Sequence, residues 1–264
     1  MTAAISARQL TRRFGDFTAV DAIDLEVPEG ARFGFLGLNG AGKSTTIRML
    51  CGLLPPTSGQ ASVAGHDVAS DTLAVRARVG LIAELEAARA HPAWSGREHL
   101  RYFAGLWRLP DADDRVEALL DQVGLAPEWR RRPMRGYSTG MHRRVEIARA
   151  MLGSPRILFL DEPTRGLDLP AKRELWAWLR ELARTQRVTL FVSSHEVREI
   201  RTLCDDLAVI AGGRIAYQGS VRDLGDDEAD FEDALVELLE GRAVPQRPVQ
   251  PRRARPKASM PKAG

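Results

Sequence analysis

Residues 37–44 read Gly37-Leu38-Asn39-Gly40-Ala41-Gly42-Lys43-Ser44, and this octapeptide decides the fold. It has the spacing G-x-x-x-x-G-K-[ST] of a phosphate-binding loop. Glycines at that spacing let successive backbone N–H groups turn inward and form a concavity for an anion. A helix beginning near Lys43 adds its partially positive N-terminal end. Lys43 then supplies a point charge for the β- and γ-phosphates of a nucleotide, and the Ser44 hydroxyl is a ligand for Mg²⁺. Gly37, Asn39, Gly40, Ala41, Gly42, Lys43, Ser44 and Thr45 are the expected phosphate-binding residues.

The context outside the octapeptide agrees. Arg32–Leu36 is a short apolar strand leading into the loop, and Lys43–Leu50 reads as a helix leading out. Two further apolar runs end in polar clusters. Ile157–Leu160 is followed at once by Asp161 and Glu162, and Val188–Val192 by Ser193, Ser194 and His195. Short, wholly apolar runs suit strands buried on both faces of a parallel sheet, and such sheets bind ligands beyond the carboxyl ends of their strands. Asp161 is placed to hold Mg²⁺ through water. Glu162 is placed to orient the attacking water and accept its proton.

The remaining pattern alternates strands and helices, which predicts an α/β fold with a mostly parallel central sheet. Ala4–Leu10 and Asp21–Val27 read as early antiparallel strands, and residues 84–136 as an inserted helical subdomain with helices over Gly96–Leu106 and Asp113–Val123. Met141, Val145, Ala148 and Leu152 share one face of a following helix. Leu169–Leu182, Glu196–Leu203 and Phe231–Leu239 are further helices. The domain is expected over residues 1–241. Residues 242–264, rich in proline and arginine, read as a disordered tail.

Of the 264 residues, 44% are hydrophobic, enough for a sizeable core. The net charge of +3 comes from the tail: its seven basic and no acidic residues leave residues 1–241 at −4, which argues against a nucleic-acid footprint. Cys51 and Cys204 belong to no C-x-x-C or Cys/His cluster, so they read as buried side chains on helices. No apolar run approaches the roughly 18–20 residues of a membrane span, and Met1–Leu10 lacks a signal pattern. The expectation is a cytosolic chain that does any membrane work through a partner.

Tyr137-Ser138-Thr139-Gly140-Met141 resembles the signature motif of ABC-type ATPases. Asp161 to Asp168 resembles that family's Walker B and D-loop, and Ser193-Ser194-His195-Glu196 its switch-histidine loop. The resemblance spans about residues 6–240 and implies a phosphate-loop NTPase fold with an N-terminal antiparallel sheet. The implied cofactors are ATP and Mg²⁺. It also implies hydrolysis in a head-to-tail dimer, beneath separate transmembrane permease subunits at the cytoplasmic face of the membrane. Each ATP then lies between the phosphate loop of one copy and the signature motif of the other, so Ser138 and Gly140 reach the γ-phosphate held by the second ATPase subunit. The resemblance further makes Lys43, Glu162 and His195 the catalytic residues. It makes Asp168 the residue that couples the two sites and Phe14 the aromatic that stacks on adenine.

Two residues depart from the family pattern. Glu84 stands where the family has a glutamine; glutamate still ligates Mg²⁺ but adds negative charge beside a triphosphate. Thr139 replaces the first signature glycine. Within the family, Ser95–Leu100, Arg132–Tyr137 and Phe231–Leu235 resemble ABC-2 type exporter ATPases, including those of drug resistance. The loop from Glu84 to Trp94 is expected to meet the permease. An importer ATPase, which shares the same engine, and a soluble ABC ATPase acting without a membrane partner are the alternatives. One motif set, no heptad run and an acidic domain weigh against the soluble form.

Overall fold

The computed structural model describes residues 3–83 and 93–240. Glu84, with the loop expected to meet the permease, lies outside the described residues up to Pro92, as does the basic tail.

The chain begins with a hairpin of β1 (Ala3–Phe14) and β2 (Phe17–Pro28), paired from Ala3↔Pro28 to Phe14↔Phe17. Both strands run longer than their apolar alternation indicates. Register irregularities between Ala7 and Arg13 carry the ladder past Gln9, Arg12 and Arg13, whose polar side chains interrupt the pattern. β4 (Ser58–Val63) joins the other edge of β1 and β5 (His66–Asp67) joins β4, giving an antiparallel sheet of order β2-β1-β4-β5.

The second sheet has the order β10-β9-β3-β8-β7-β6. Its strands are β3 (Arg32–Leu36), β6 (Val79–Ile82), β7 (Ile157–Asp161), β8 (Thr189–Ser194), β9 (Asp206–Ala211) and β10 (Arg214–Ser220). All neighbours are parallel except β9 and β10. β4, β5, β6, β9 and β10 were not legible as strands in the sequence. β4 and β10 mix glycine, serine and glutamine with few apolar residues, and only their ladder partners make them strands.

The period-2 alternation of the central strands divides the core into two. Leu158 and Leu160 of β7 and Leu190 and Val192 of β8 join a cluster with Leu100, Leu120, Val145, Leu179 and Ile200. Ile157, Phe159 and Phe191 face the other way, into a cluster with Ile5, Leu10, Phe33, Phe35 and Ile47. Phe191 is central there, with its ring centroid 5.7 Å from Phe33 and 5.3 Å from both Phe35 and Phe159. Burying each such side chain is worth about 1.5–3 kcal/mol.

Helices cover both faces. α1 (Lys43–Leu50) and α2 (Thr72–Arg76) precede β6. Between β6 and β7 come α3 (Gly96–Leu106), α4 (Ala112–Gln122) and α5 (Thr139–Met151). α3 starts in a capping box: Glu98 N donates to Ser95 Oγ, and Ser95 N donates to Glu98 Oε2 at 2.8 Å. α6 (Leu169–Gln186), α7 (Val197–Leu203) and α8 (Glu228–Leu239) follow the remaining strands. Cys51 and Cys204 are buried at the ends of α1 and α7, where burial raises both thiols well above their ordinary range. Among the described residues, no helix is long and apolar enough to cross a membrane.

Candidate active site

β8 lies between β3 and β7, and all three run in the same direction. Leu36 is level with Ser194, and Asp161 with Ser193. The loops that follow the three strands therefore emerge side by side at one edge. This register turns three separate sequence clusters into one site.

The phosphate loop needs glycine for steric reasons at two positions. Gly42 has φ 106, and a Cβ there would lie 2.5 Å from the Ala19 carbonyl oxygen; a Cβ on Gly37 would lie equally close to the Ile210 carbonyl oxygen. The loop is tied down by Gly37 N donating to Ser194 O at 3.3 Å and Thr46 Oγ1 to Gly42 O at 2.9 Å. The Lys43 side chain is only 6% exposed. Its ammonium donates to the carbonyls of Gly37 at 2.7 Å and Leu38 at 3.3 Å, and lies 3.3 Å from Glu162 Oε1. Ser44 and Thr45 follow at the start of α1, half-buried, while Asn39 and Gly40 are exposed.

Glu162 is the meeting point. Its Oε1 faces Lys43, and its Oε2 lies 2.8 Å from His195 Nδ1. Its backbone has φ 50, a left-handed conformation that costs a non-glycine residue about 1–3 kcal/mol and is found mostly where function demands it. Glu162 N donates to Ser193 O at 3.1 Å, which helps to hold that conformation. Next to it, Asp161 accepts a hydrogen bond from the Ser193 hydroxyl. His195 is partly open to solvent, with its side chain 42% exposed, and can turn toward a ligand.

Phe14 ends β1 with 46% of its surface exposed, so it is not a core aromatic. The Arg12 guanidinium covers one ring face at 4.6 Å from the centroid, and Arg12 Nη1 donates to Pro55 O at 2.8 Å. The partnership follows from strand periodicity, since residues i and i+2 share a face.

Ser138, Gly140 and Asp168 form a second group. Ser138 caps α5 by accepting from Met141 N at 3.2 Å, and Asp168 caps α6 by accepting from Ala171 N at 2.9 Å. A Cβ on Gly140 would lie 3.9 Å from Ala171 Cβ, so the two helix starts stand close together. Ser138, Thr139 and Asp168 are exposed, and both caps bond within their own helices. The preceding Tyr137 is buried, its hydroxyl donating to Trp129 O at 2.7 Å and accepting from Gly96 N. This ties the motif to the start of α3.

Several site neighbours were missed in the sequence: Ser193 as the partner of Asp161, Arg12 as the backing of Phe14, and the Lys172–Glu196 ion pair beside His195 at 2.7 Å. Only Arg12, through its spacing from Phe14, carried a local signal.

A phosphate loop at the carboxyl edge of a parallel sheet, with an acidic pair on the next strand but one, defines a phosphate-loop ATPase. The chain belongs to the ABC transporter family, whose pattern it matches over residues 20–165. It binds ATP and is an ATPase subunit of that family. It is 37% identical over 230 residues to "Nod factor export ATP-binding protein I" of Cupriavidus metallidurans, covering 86% of this chain and 75% of that protein. It is 39% identical over 225 residues to "Daunorubicin/doxorubicin resistance ATP-binding protein" of Streptomyces peucetius, covering 84% and 67%. The fold resembles that of cbiO1 from Clostridium perfringens, part of an ABC transporter complex, with a TM-score of 0.77 and 24% identity over 89% of this chain and 93% of that one.

Proposed function

We propose that this chain is the ATP-hydrolysing subunit of an exporter, that Glu162 is its general base, and that two copies act together on separate permease subunits. The observation that carries the catalytic assignment is the Glu162 carboxylate held between Lys43 and His195. A carboxylate in that position orients a water for in-line attack on a γ-phosphate and accepts its proton. Lys43 neutralises charge that develops on the transferred phosphoryl group. His195 holds the attacking water and the γ-phosphate in line, and its exposure leaves it free to swing between Glu162 and the nucleotide. Phe14 offers its uncovered face to adenine.

The oxygen donors of Ser44 and Asp161 suit a hard cation, and Asp161 is already oriented by Ser193. These two residues would hold Mg²⁺, which supplies charge neutralisation at the β- and γ-phosphates. Glu84 remains a third candidate ligand. Homodimerisation is supported by the second group of residues: the exposed N-terminus of α5, capped by Ser138, carries partial positive charge suited to a phosphate bound by another copy. Asp168 then sits where the two sites communicate. The loop from Glu84 to Trp94 is the segment that would meet the permease, and the chain would work at the cytoplasmic face of the membrane, with no nucleic-acid partner. Export is supported by the likeness to the Nod factor export and drug-resistance ATP-binding proteins.

Glu162→Gln tests the assignment. Turnover is expected to fall by about 10²–10⁴ while ATP still binds and holds a dimer together. Normal turnover in this variant removes Glu162 as the base. The same variant, used as ATP-bound bait in detergent-solubilised native membranes, is expected to recover a permease; recovery of ribosomes or DNA proteins alone contradicts the transporter reading.

A further inference from the structure

Glu199 lies on α7, four residues after His195, and is 1% exposed. A carboxylate taken that far from water is costly unless its oxygens accept hydrogen bonds. Its neighbours come from three different segments. Trp176 Nε1, on α6, donates to it at 3.1 Å. The buried side chains of Ser194 and Thr164 lie beside it, and their hydroxyls favour its charged form. Ser194 ends β8 immediately before His195. Thr164 lies two residues after Glu162, in the loop that leads to Asp168. Trp176 is on the helix that Asp168 caps.

Two further contacts surround this centre. Lys172 of α6 pairs with Glu196, the residue after His195. The buried Arg143 of α5 lies close enough to Glu199 for each to feel the other's charge. Its Nη1 donates to Glu146 Oε2 at 2.9 Å and reaches Ala83 O at 3.4 Å. One carboxylate thus gathers the segments that carry His195, Glu162 and Asp168, beside the helix that carries the signature motif.

We infer that Glu199 is a positioning residue for ATP hydrolysis, holding the His195 segment and the Glu162-to-Asp168 segment in one relation. The inference rests on the roles proposed above for Glu162 and His195. Glu199 acts through the segments it ties: if Ser194 or Thr164 shifts, His195 Nδ1 and Glu162 Oε2 no longer meet at 2.8 Å. Misplacing a reacting group by about 1 Å costs up to about a hundredfold in rate. A purely structural Glu199 would instead affect melting temperature and leave turnover per folded molecule unchanged.

The experiment measures kcat, ATP dissociation constant and melting temperature of the full chain with Mg²⁺. The variants are Glu199→Gln, Glu199→Ala, Thr164→Val and His195→Ala, together with the Glu199→Ala/His195→Ala pair. Burial pushes the Glu199 carboxyl up, so a neutral glutamine of the same shape should fold. The expected result is a kcat lowered about a hundredfold by Glu199→Ala and about tenfold by Thr164→Val, with ATP affinity unchanged. In the His195→Ala background, Glu199→Ala should have little further effect, because the two act as a unit. If Glu199→Ala does not fold, Thr164→Val reads the same effect, and Glu199→Gln, which keeps the shape and an acceptor oxygen for Trp176, should retain more turnover than either. Wild-type kcat in folded Glu199→Ala, or losses that multiply independently of His195, overturns the inference. If His195→Ala itself keeps full turnover, the role of His195 falls and the inference with it. An inactive His195→Ala beside a fully active Thr164→Val overturns the inference alone.

Discussion

The phosphate-loop edge and the signature edge are built in opposite ways. At the first, the functional groups pair with one another: Lys43 is buried against two carbonyls and Glu162, and Glu162 is shared with His195. At the second, among the described residues, Ser138 and Asp168 bond the helices they cap and stand exposed. A self-contained arrangement binds a ligand by exchanging internal partners for the ligand's oxygens. The exposed N-terminus of α5, capped only by a neutral hydroxyl, has directed positive charge, whereas the Asp168 carboxylate offsets that of α6. The contrast teaches that one chain carries an internally paired cradle and, apart from it, an exposed group of helix caps, the group through which the proposed pairing with a second copy would act.

Substitutions can break or sharpen this comparison. The largest effect is expected from Lys43→Ala, which should abolish turnover and weaken ATP binding at every protein concentration, read by fluorescent-nucleotide titration. Removing the cation also leaves the largely buried Glu162 with one partner fewer, so the melting temperature should fall as well. Ser138→Ala should lose about 1 kcal/mol of stability through its cap and keep monomer affinity for ATP. Its turnover should fall in the concentration range where copies pair. If Ser138→Ala weakens ATP binding in dilute monomer as much as Lys43→Ala does, the two edges are not separate and the comparison fails.

A smaller effect separates the two ends of the cradle itself. Phe14→Ala should weaken binding of ATP and of adenosine, and leave binding of inorganic triphosphate unchanged. Arg12→Ala should reproduce a part of that loss, about 0.5–1 kcal/mol, through the lost contact with the ring. Equal losses for adenosine and triphosphate would show that both residues shape the loop rather than the base site.

The smallest expected effect lies away from both edges, at the start of α3. Hydrogen bonds from Ser95 hold the Glu98 carboxyl below the usual range. Its folded pKa is therefore lower than its unfolded one. The capping contribution is fully present above the unfolded value of about 4.3 and is lost as pH falls through the folded value. Glu98→Gln should lower the melting temperature slightly near neutral pH and match the unsubstituted protein at the acid end, where Glu98 is protonated; because Glu98 is exposed, the difference should be slight.

Much of the fold was legible because its signals are local. The apolar runs of β3, β7 and β8 end where polar clusters begin, and those endings name the cradle residues. The periodic faces of α3, α5 and α6 were legible for the same reason. β4 and β10 were not, because a strand of few apolar residues is defined by the neighbour it pairs with. In the site, Lys43, Asp161, Glu162 and His195 could be named from motifs and resemblance, whereas Ser193, Lys172 and Glu199 could not. Their partners lie 32, 24 and 23 residues away in the chain.

The sequence by itself determined the chemistry: a glycine-rich turn before a helix is a phosphate site wherever it is folded, and its family follows from the order of the motifs. Tertiary structure alone decided the geometry. Inserting β8 between β3 and β7 brings His195 to Glu162, and burying Glu199 sets it against Trp176 of a distant helix. The physical reason is that short-range patterns record the conformation of the backbone. The sharing of one carboxylate among distant donors is a property of packed elements, and no local pattern encodes it.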